Sequence, residues 1–457
     1  MSIANRILTE DGIQLVKFSN HCWDLLESED SMLYGLLSKE YKRQQSTLAM
    51  VASCSPTHPS VLACEGSFTS NVTAEGYPGA RFHAGCEFVD QFEQLAIDRA
   101  KNAFRARYAN VQPHTASIAN QIVLSSLLKP GDTLLGLDLD CGGHLSHGSS
   151  VNLSGQFFQA ISYGLDKDGM IDYEQVSALA DKHKPKLIIC GTTAYPRVIE
   201  WGRFRDIADG VNAYLLADIT HIAGLVITGQ HPSPIDIAHI TTTCTHKQLY
   251  GPRGGLILMG KECESPKREG KGTLKNAMQR GTFPLVQGAP IVNNIVAKAR
   301  ALGRSMTPEF RQLAGNITVL ARRLAAVFGD YGVRVMSGGT DNHIVVVDVL
   351  TSFGITGVVA EMALEQCGVI VNKNRITGDS KGVRVTSGIR LGTNGLAARG
   401  FSKEDVDECA ILICKVLSTV KQESDTTYVL DESSCEMFRD HTAELCAKNP
   451  ISAYPVC

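Results

Sequence analysis

The chain has 457 residues, 44% of them hydrophobic and 20% charged, with 42 glycines, which excludes a disordered or fibrous protein and leaves room for two or three domains. Forty-four Lys and Arg against 47 Asp and Glu give a net charge of -3, and with no long basic run nucleic acid is not an expected partner. No apolar stretch reaches membrane-spanning length, MSIANRILTEDG lacks the order of a secretory signal, and the 14 cysteines include no Cys-x-x-Cys pair. A cytoplasmic protein with reduced, mostly buried thiols is the expectation.

Residues 1–50 read as an arm of amphipathic helices carrying Trp23, Leu26, Tyr34 and Leu37. After Gly85, the residues Phe88, Phe92, Leu95, Ala96, Ala100 and Phe104 recur at helical spacing. Apolar runs then alternate with helix-like segments: TLLGLDL (133–139), KLIICGT (186–192), AYLLADI (213–219) and HITTTCT (239–245), with DYEQVSALADKH (172–183) as one of the helices. That alternation predicts βα units around a mainly parallel, buried sheet. GGLILMG (254–260) reads as one more strand, forming an antiparallel hairpin with HITTTCT. A long helical segment from about Val292 to Phe328 leads on to strands NHIVVVDV (342–349) and VRVTSGIRLGT (383–393) and a helix VVAEMALEQCG (358–368). The expected division is a helical arm over 1–50, a large α/β domain over 51–310 and a smaller α+β domain over 311–457.

In such folds the loops after the strands collect functional groups. QPHTASIAN (112–120) sets Thr115, Ala116 and Ser117 before a helix, where backbone N–H groups can hold a phosphate or Thr115 can simply cap the helix. DLDCGGHLSHG (138–148) holds two histidines three apart but no His-Glu-x-x-His pattern, so no metal is expected. His144 is read either as a satisfied loop residue or as a ring stacked on a planar cofactor. Asp218 ends a buried strand and demands a cationic partner. Lys247 follows another strand, and its desolvated amine suits nucleophilic attack on a carbonyl. A phosphate loop, a buried Asp, a nucleophilic Lys and a stackable His are the parts that hold pyridoxal phosphate.

At these residues the sequence closely resembles the serine hydroxymethyltransferase family, from about Ser53 to Tyr454. The resemblance is carried by AEGYPGARF, GCEFVDQFEQLAIDRAK, GGHLSHG, HKPKLIICGTTAYPR, DITHIAGLV, TTTCTHKQLYGPRGGLIL, SGGTDNH, VNKN and TSGIRLGT. It implies a large pyridoxal-phosphate domain with a mainly parallel seven-stranded sheet, a small C-terminal domain, and a homodimer or tetramer with active sites shared between chains. It further implies that Lys247 bonds to the cofactor, Asp218 faces its ring nitrogen, His144 stacks on the ring, and Thr193 and His221 lie near its 3-hydroxyl. Ser117, with the backbone of Thr115 and Ala116, would bind the phosphate, aided by His246 and by Gly288 of a neighbouring copy. Arg390 and Ser53 would meet the amino-acid substrate, Glu75 would manage the proton of the hydroxymethyl group, and Leu139, Gly143, Leu145 and Asn374 would contact tetrahydrofolate as co-substrate.

Three departures from the family stand in the pocket wall. Its two tyrosines in NKYAEGYPG and RYYGG are Thr73 and His83 here, and its ASEN reads Ala52-Ser53-Cys54-Ser55. Losing an aromatic ring leaves a void costing several kcal/mol, by order of magnitude, unless something fills it. A substrate with an extra α-substituent does so, and the branch of the family acting on α-methylserine and D-alanine has a threonine and a histidine at these places. The expected activity is therefore an α-methylserine-type hydroxymethyltransferase. The alternatives are the ordinary serine/glycine enzyme, a folate-independent aldolase, and a non-catalytic binding or regulatory protein. Cys54 is read as a packing residue.

Overall fold

The computed structural model describes residues 10–455, so the first nine residues of the arm and of MSIANRILTEDG lie outside it. The arm is two helices, α1 (Glu10–Glu29) and α2 (Ser31–Ser46), the second capped by Asp30 accepting from the Leu33 amide. Much of its apolar surface faces outward: Phe18, Trp23 and Met32 are 47, 55 and 72% exposed. Helix α3 (Glu87–Phe104) follows Gly85, where expected.

Seven strands form the large sheet: β1 (Tyr108–Asn110), β2 (Thr133–Leu137), β3 (Gln159–Tyr163), β4 (Leu187–Gly191), β5 (Tyr214–Asp218), β6 (Ile240–Cys244) and β7 (Gly255–Met259). Their order is β1-β7-β6-β5-β4-β2-β3. Only β7 runs against the others, pairing antiparallel with both β6 and β1, so the expected hairpin is present with Gly255 opposite Cys244. Strands β4 to β7 are buried at every position, and alternate residues enter two different cores. Ile188, Cys190, Leu215, Ala217, Leu256 and Leu258 join one, with Val176 and Ala180 of helix α5 (Tyr173–His183). Leu187, Ile189, Leu216, Ile240 and Ile257 join the other, with Ile122, Val123 and Leu124 of helix α4 (Ala116–Leu127). A period of two with apolar residues on both faces is what a sheet covered by helices on both sides requires.

The expected helix over Val292–Phe328 is two helices, α6 (Val292–Ser305) and α7 (Pro308–Asp330). Thr307 caps the second by accepting from the Phe310 amide, and Pro308, which lacks an N–H, fits its first turn but not a helix interior. A second sheet of four strands follows: β8 (Arg334–Val335), β9 (Ile344–Asp348), β10 (Asn372–Asn374) and β11 (Gly388–Gly392), in the order β8-β9-β11-β10. The expected strand over 383–393 is shortened to β11. Thr386 takes φ of 59°, and the Asp379 carboxylate accepts from the Ser387 amide and hydroxyl, which holds the preceding residues in a loop. No helix among the described residues is long and apolar enough to cross a membrane.

Candidate active site

The parallel strands end on one side of the sheet, and their following loops enclose a cavity of about 260 Å³. Thr115, Ala116, Ser117, His144, Thr193, Asp218, His221, His246 and Lys247 line it, bringing together residues spread over 133 positions of sequence (247 less 115, plus one). His147, Thr192, Thr220 and Arg253 line it too; of these, sequence reasoning noted only His147, as one of two histidines three apart, and gave none of the four a role.

Asp218 ends β5 and is 6% exposed. Its Oδ2 accepts from Asn120 Nδ2 at 2.8 Å and meets His147 Nε2 at 3.0 Å, while Oδ1 accepts from the Thr220 amide at 3.0 Å. Burial opposes ionisation, but the His147 imidazole and these donors outweigh it and hold the carboxyl well below its ordinary range. Within the chain, the side chain nearest the place of the expected cationic partner is the imidazole of His147. The neighbouring strand passes so close that a Cβ at Gly191, with φ of 159°, would lie 2.4 Å from the Asp218 carbonyl oxygen.

Asn120 is fully buried and joins the site together: its Oδ1 accepts from the Thr242 hydroxyl at 2.6 Å, and its Nδ2 also donates to Ser146 Oγ at 2.9 Å. The Ser146 amide donates to His144 Nδ1, so the neutral His144 ring carries its proton on Nε2. Burial and the nearby His147 push His144 down to about 4. Thr115 is the helix cap, accepting from the Ile118 amide at 3.1 Å, which leaves the amides of Ala116 and Ser117 without an intrahelical acceptor. The cap is therefore present, and it does not close off those two amides.

Lys247 lies in the loop after β6, 8% exposed, with Nζ 2.9 Å from His221 Nε2. Burial lowers its affinity for a proton, and it also drives His221 well below its usual value. His246 is pushed to about 4 by burial and by Lys247. Arg390, on β11, donates from Nε to Asn372 and from Nη1 to the Thr193 carbonyl, and Thr193 Oγ1 donates to the Gly143 carbonyl at 2.9 Å. Lys298 of α6 is buried behind the Thr115 loop and donates to the carbonyls of Val111, Pro113 and Gly255 at 2.6, 2.9 and 3.1 Å.

The other candidates lie elsewhere. Ser53 and Cys54 line an adjoining space of about 410 Å³ that shares His246 and Arg253 with the first. Glu75, His83 and Gly288 form a separate, half-exposed patch: His83 Nε2 is 3.4 Å from Glu75 Oε2, and a Cβ on Gly288 would be 3.6 Å from Glu75 Oε1. Thr73 is exposed, and none of these four residues lines the Lys247 cavity. Leu139 and Leu145 are each 44% exposed, and Asn374 borders a crevice with Asp140 and Gly142. Among the described residues no group of three or more His, Cys, Asp or Glu is placed to hold a metal ion.

A family model described as serine hydroxymethyltransferase matches residues 26–413. Serine hydroxymethyltransferase of Coxiella burnetii strain CbuK_Q154 is 45% identical over 426 residues, covering 93% of this chain and 97% of its own length. Proteins of that name from strains Dugway 5J108-111 and RSA 493 / Nine Mile phase I match to the same extent. The chain belongs to the serine hydroxymethyltransferase family.

Proposed function

We propose that this chain moves a hydroxymethyl group between an α-substituted amino acid and tetrahydrofolate, with α-methylserine and D-alanine as the amino-acid pair. The family's enzymes are pyridoxal-phosphate-dependent hydroxymethyltransferases with tetrahydrofolate as co-substrate. The Lys247 cavity fits that cofactor. Buried His147 Nδ1, Thr220 Oγ1 and His246 Nδ1 on its wall lack partners among the described residues. The open amides of Ala116 and Ser117 suit a phosphate, and Asp218 Oδ1 keeps acceptor capacity for a ring N–H. Bound there, pyridoxal phosphate supplies an electron sink for the bond broken at the substrate α-carbon.

Around it, the ionised Asp218 stabilises positive charge on the ring nitrogen, and the neutral His144 ring offers a flat face. Arg390 presents a guanidinium to the amino-acid carboxylate, a pairing that planar geometry favours. Thr193 and His221 meet the 3-hydroxyl, and Ser53 the substrate. Glu75 takes and returns the proton of the hydroxymethyl oxygen or of the folate, with Leu139, Gly143, Leu145 and Asn374 against the folate. Its place outside the Lys247 cavity supports sites shared between two copies, in which the patch of Thr73, Glu75, His83 and Gly288 closes the cavity of the other copy. The exposed apolar face of α1 and α2 suits the same association, as a dimer or a pair of dimers. The arm, a large domain to about residue 310 and a small one beyond it belong to this reading.

The single observation that carries the chemistry is an ionised, buried Asp218 sharing one cavity with a desolvated Lys247. The α-methyl preference rests on Thr73 and His83 standing where the family has tyrosines. Turnover of serine and glycine against α-methylserine and D-alanine, with and without tetrahydrofolate, tests both levels. Preference for serine and glycine would make the chain an ordinary member, and folate-independent turnover an aldolase.

A further inference from the structure

Behind Lys247 a buried line of side chains leaves the cavity: Lys247 Nζ, His221 Nε2, then His221 Nδ1 to His343 Nε2 at 3.4 Å, then His343 Nε2 to the Ala52 carbonyl at 3.2 Å. The two imidazoles lie nearly parallel, with ring centres 5.6 Å apart and 19° between their planes, and His343 is wholly buried. A carbonyl only accepts, so the contact with Ala52 requires the proton on His343 Nε2. That N–H also faces His221 Nδ1, which must then be the acceptor, and a neutral His221 consequently carries its proton on Nε2. Aimed at Lys247 from 2.9 Å, that proton can be received only by an amine with a free lone pair. The opposite arrangement would place an N–H on His343 Nδ1, which is buried with no partner among the described residues, and orphaned buried N–H groups are the costlier defect.

We infer that His343 is a positioning residue which, by fixing the tautomer of His221, holds the free Lys247 side chain as an unprotonated amine ready to bond to a carbonyl. His343 touches neither the cavity nor Lys247, and it acts only through His221. The other charged or titratable groups around this line are Asp218, Cys244, Arg253 and Arg390 about Lys247, Arg390 and His144 about His221, and Arg390 about His343. Arg390 disfavours a proton at all three members, in the same sense as the hydrogen-bond polarity, while Asp218 and Cys244 favour one on Lys247. The inference rests on the reading of Lys247 as the cofactor lysine.

Two measurements test it. In the full chain stripped of cofactor and labelled with ¹⁵N-histidine, His221 should show a pyridine-type Nδ1 and a protonated Nε2. A protonated Nδ1 in the wild-type chain overturns the inference without recourse to any variant. The pH dependence of pyridoxal phosphate attachment to that chain, followed by its visible absorption, reports the free amine. His343→Leu should move the profile up by about one pH unit, a roughly tenfold slower attachment at neutral pH. His343→Gln, whose amide N–H₂ reaches both acceptors, should stay within about twofold of the wild type. An unmoved profile in His343→Leu, or a Gln variant as slow as the Leu variant, overturns it. Attachment at a lysine other than Lys247 would instead sink the cofactor assignment, and the ¹⁵N result would still decide the tautomer.

Discussion

Asn120→Asp replaces one buried atom type and keeps the shape, yet sets a second carboxylate at the 2.8 Å now spanned by the Asn120 Nδ2 to Asp218 Oδ2 hydrogen bond. At an effective dielectric near 20, two full charges that close repel by about 6 kcal/mol (332/(20 × 2.8)), several times a hydrogen bond to a charged group. The pair escapes by holding one proton between the two oxygens, which raises the folded-state pKa of one carboxyl above its unfolded value. Such a group contributes stability that is fully present below the unfolded pKa and is lost as pH rises through the folded one. The deficit of the variant against wild type should therefore be smallest near pH 4, the unfolded value of an aspartate, and grow by about 1.4 kcal/mol per pH unit above that, through about 1.5 kcal/mol at pH 5, until the shared proton leaves. Urea unfolding of both proteins at pH 5, 6, 7 and 8 measures it. A deficit that does not change with pH would mean that Asn120 and Asp218 are not in contact, and the account of the site's hydrogen bonds would be wrong.

Borohydride reduction of the cofactor-loaded protein should fix the label on the peptide containing Lys247, and Lys247→Ala should abolish the visible absorption; label on another lysine refutes the assignment. Thr73→Tyr should lower turnover of α-methylserine or D-alanine roughly 10- to 200-fold more than that of serine or glycine, the range a methyl-sized steric difference allows, and equal losses would refute the pocket argument. Gly191→Ala pushes a methyl to 2.4 Å from the Asp218 carbonyl oxygen, so β4 and β5 must part. A loss of about 1–3 kcal/mol in urea unfolding is expected, and an unchanged midpoint would show that the strands give way freely.

Asp218 and Lys247 were legible because one closes and the other soon follows a fully buried strand, where a charge has no reason to be unless the fold uses it. The sheet was legible for the same reason, since uninterrupted β-branched runs separated by helices leave little else to build. Asn120 was not, because inside IANQIVLSSLL it reads as one polar residue on a helix, and only the crossing of α4 over β5 and β6 brings it to Asp218 and Thr242. His147 lost to His144 in a loop where spacing cannot say which ring turns inward. His343 sits 122 residues from His221, a separation no local pattern bridges. The 292–328 segment kept a helical period across Met306-Thr307-Pro308, so periodicity concealed a break that the Ser/Thr-Pro capping pattern announces.

Lys298 bears on how the molecule is made. Its Nζ ties the residue after β1, the loop leading to Thr115, and the start of β7 by hydrogen bonds to their carbonyls. The first of them leaves the ribosome nearly 190 residues before the lysine does. The segment before Thr115 therefore cannot gain these contacts until α6 has been made, after all seven strands of the large sheet. The order of the chain thus sets when those three carbonyls can be satisfied, as its fold sets where.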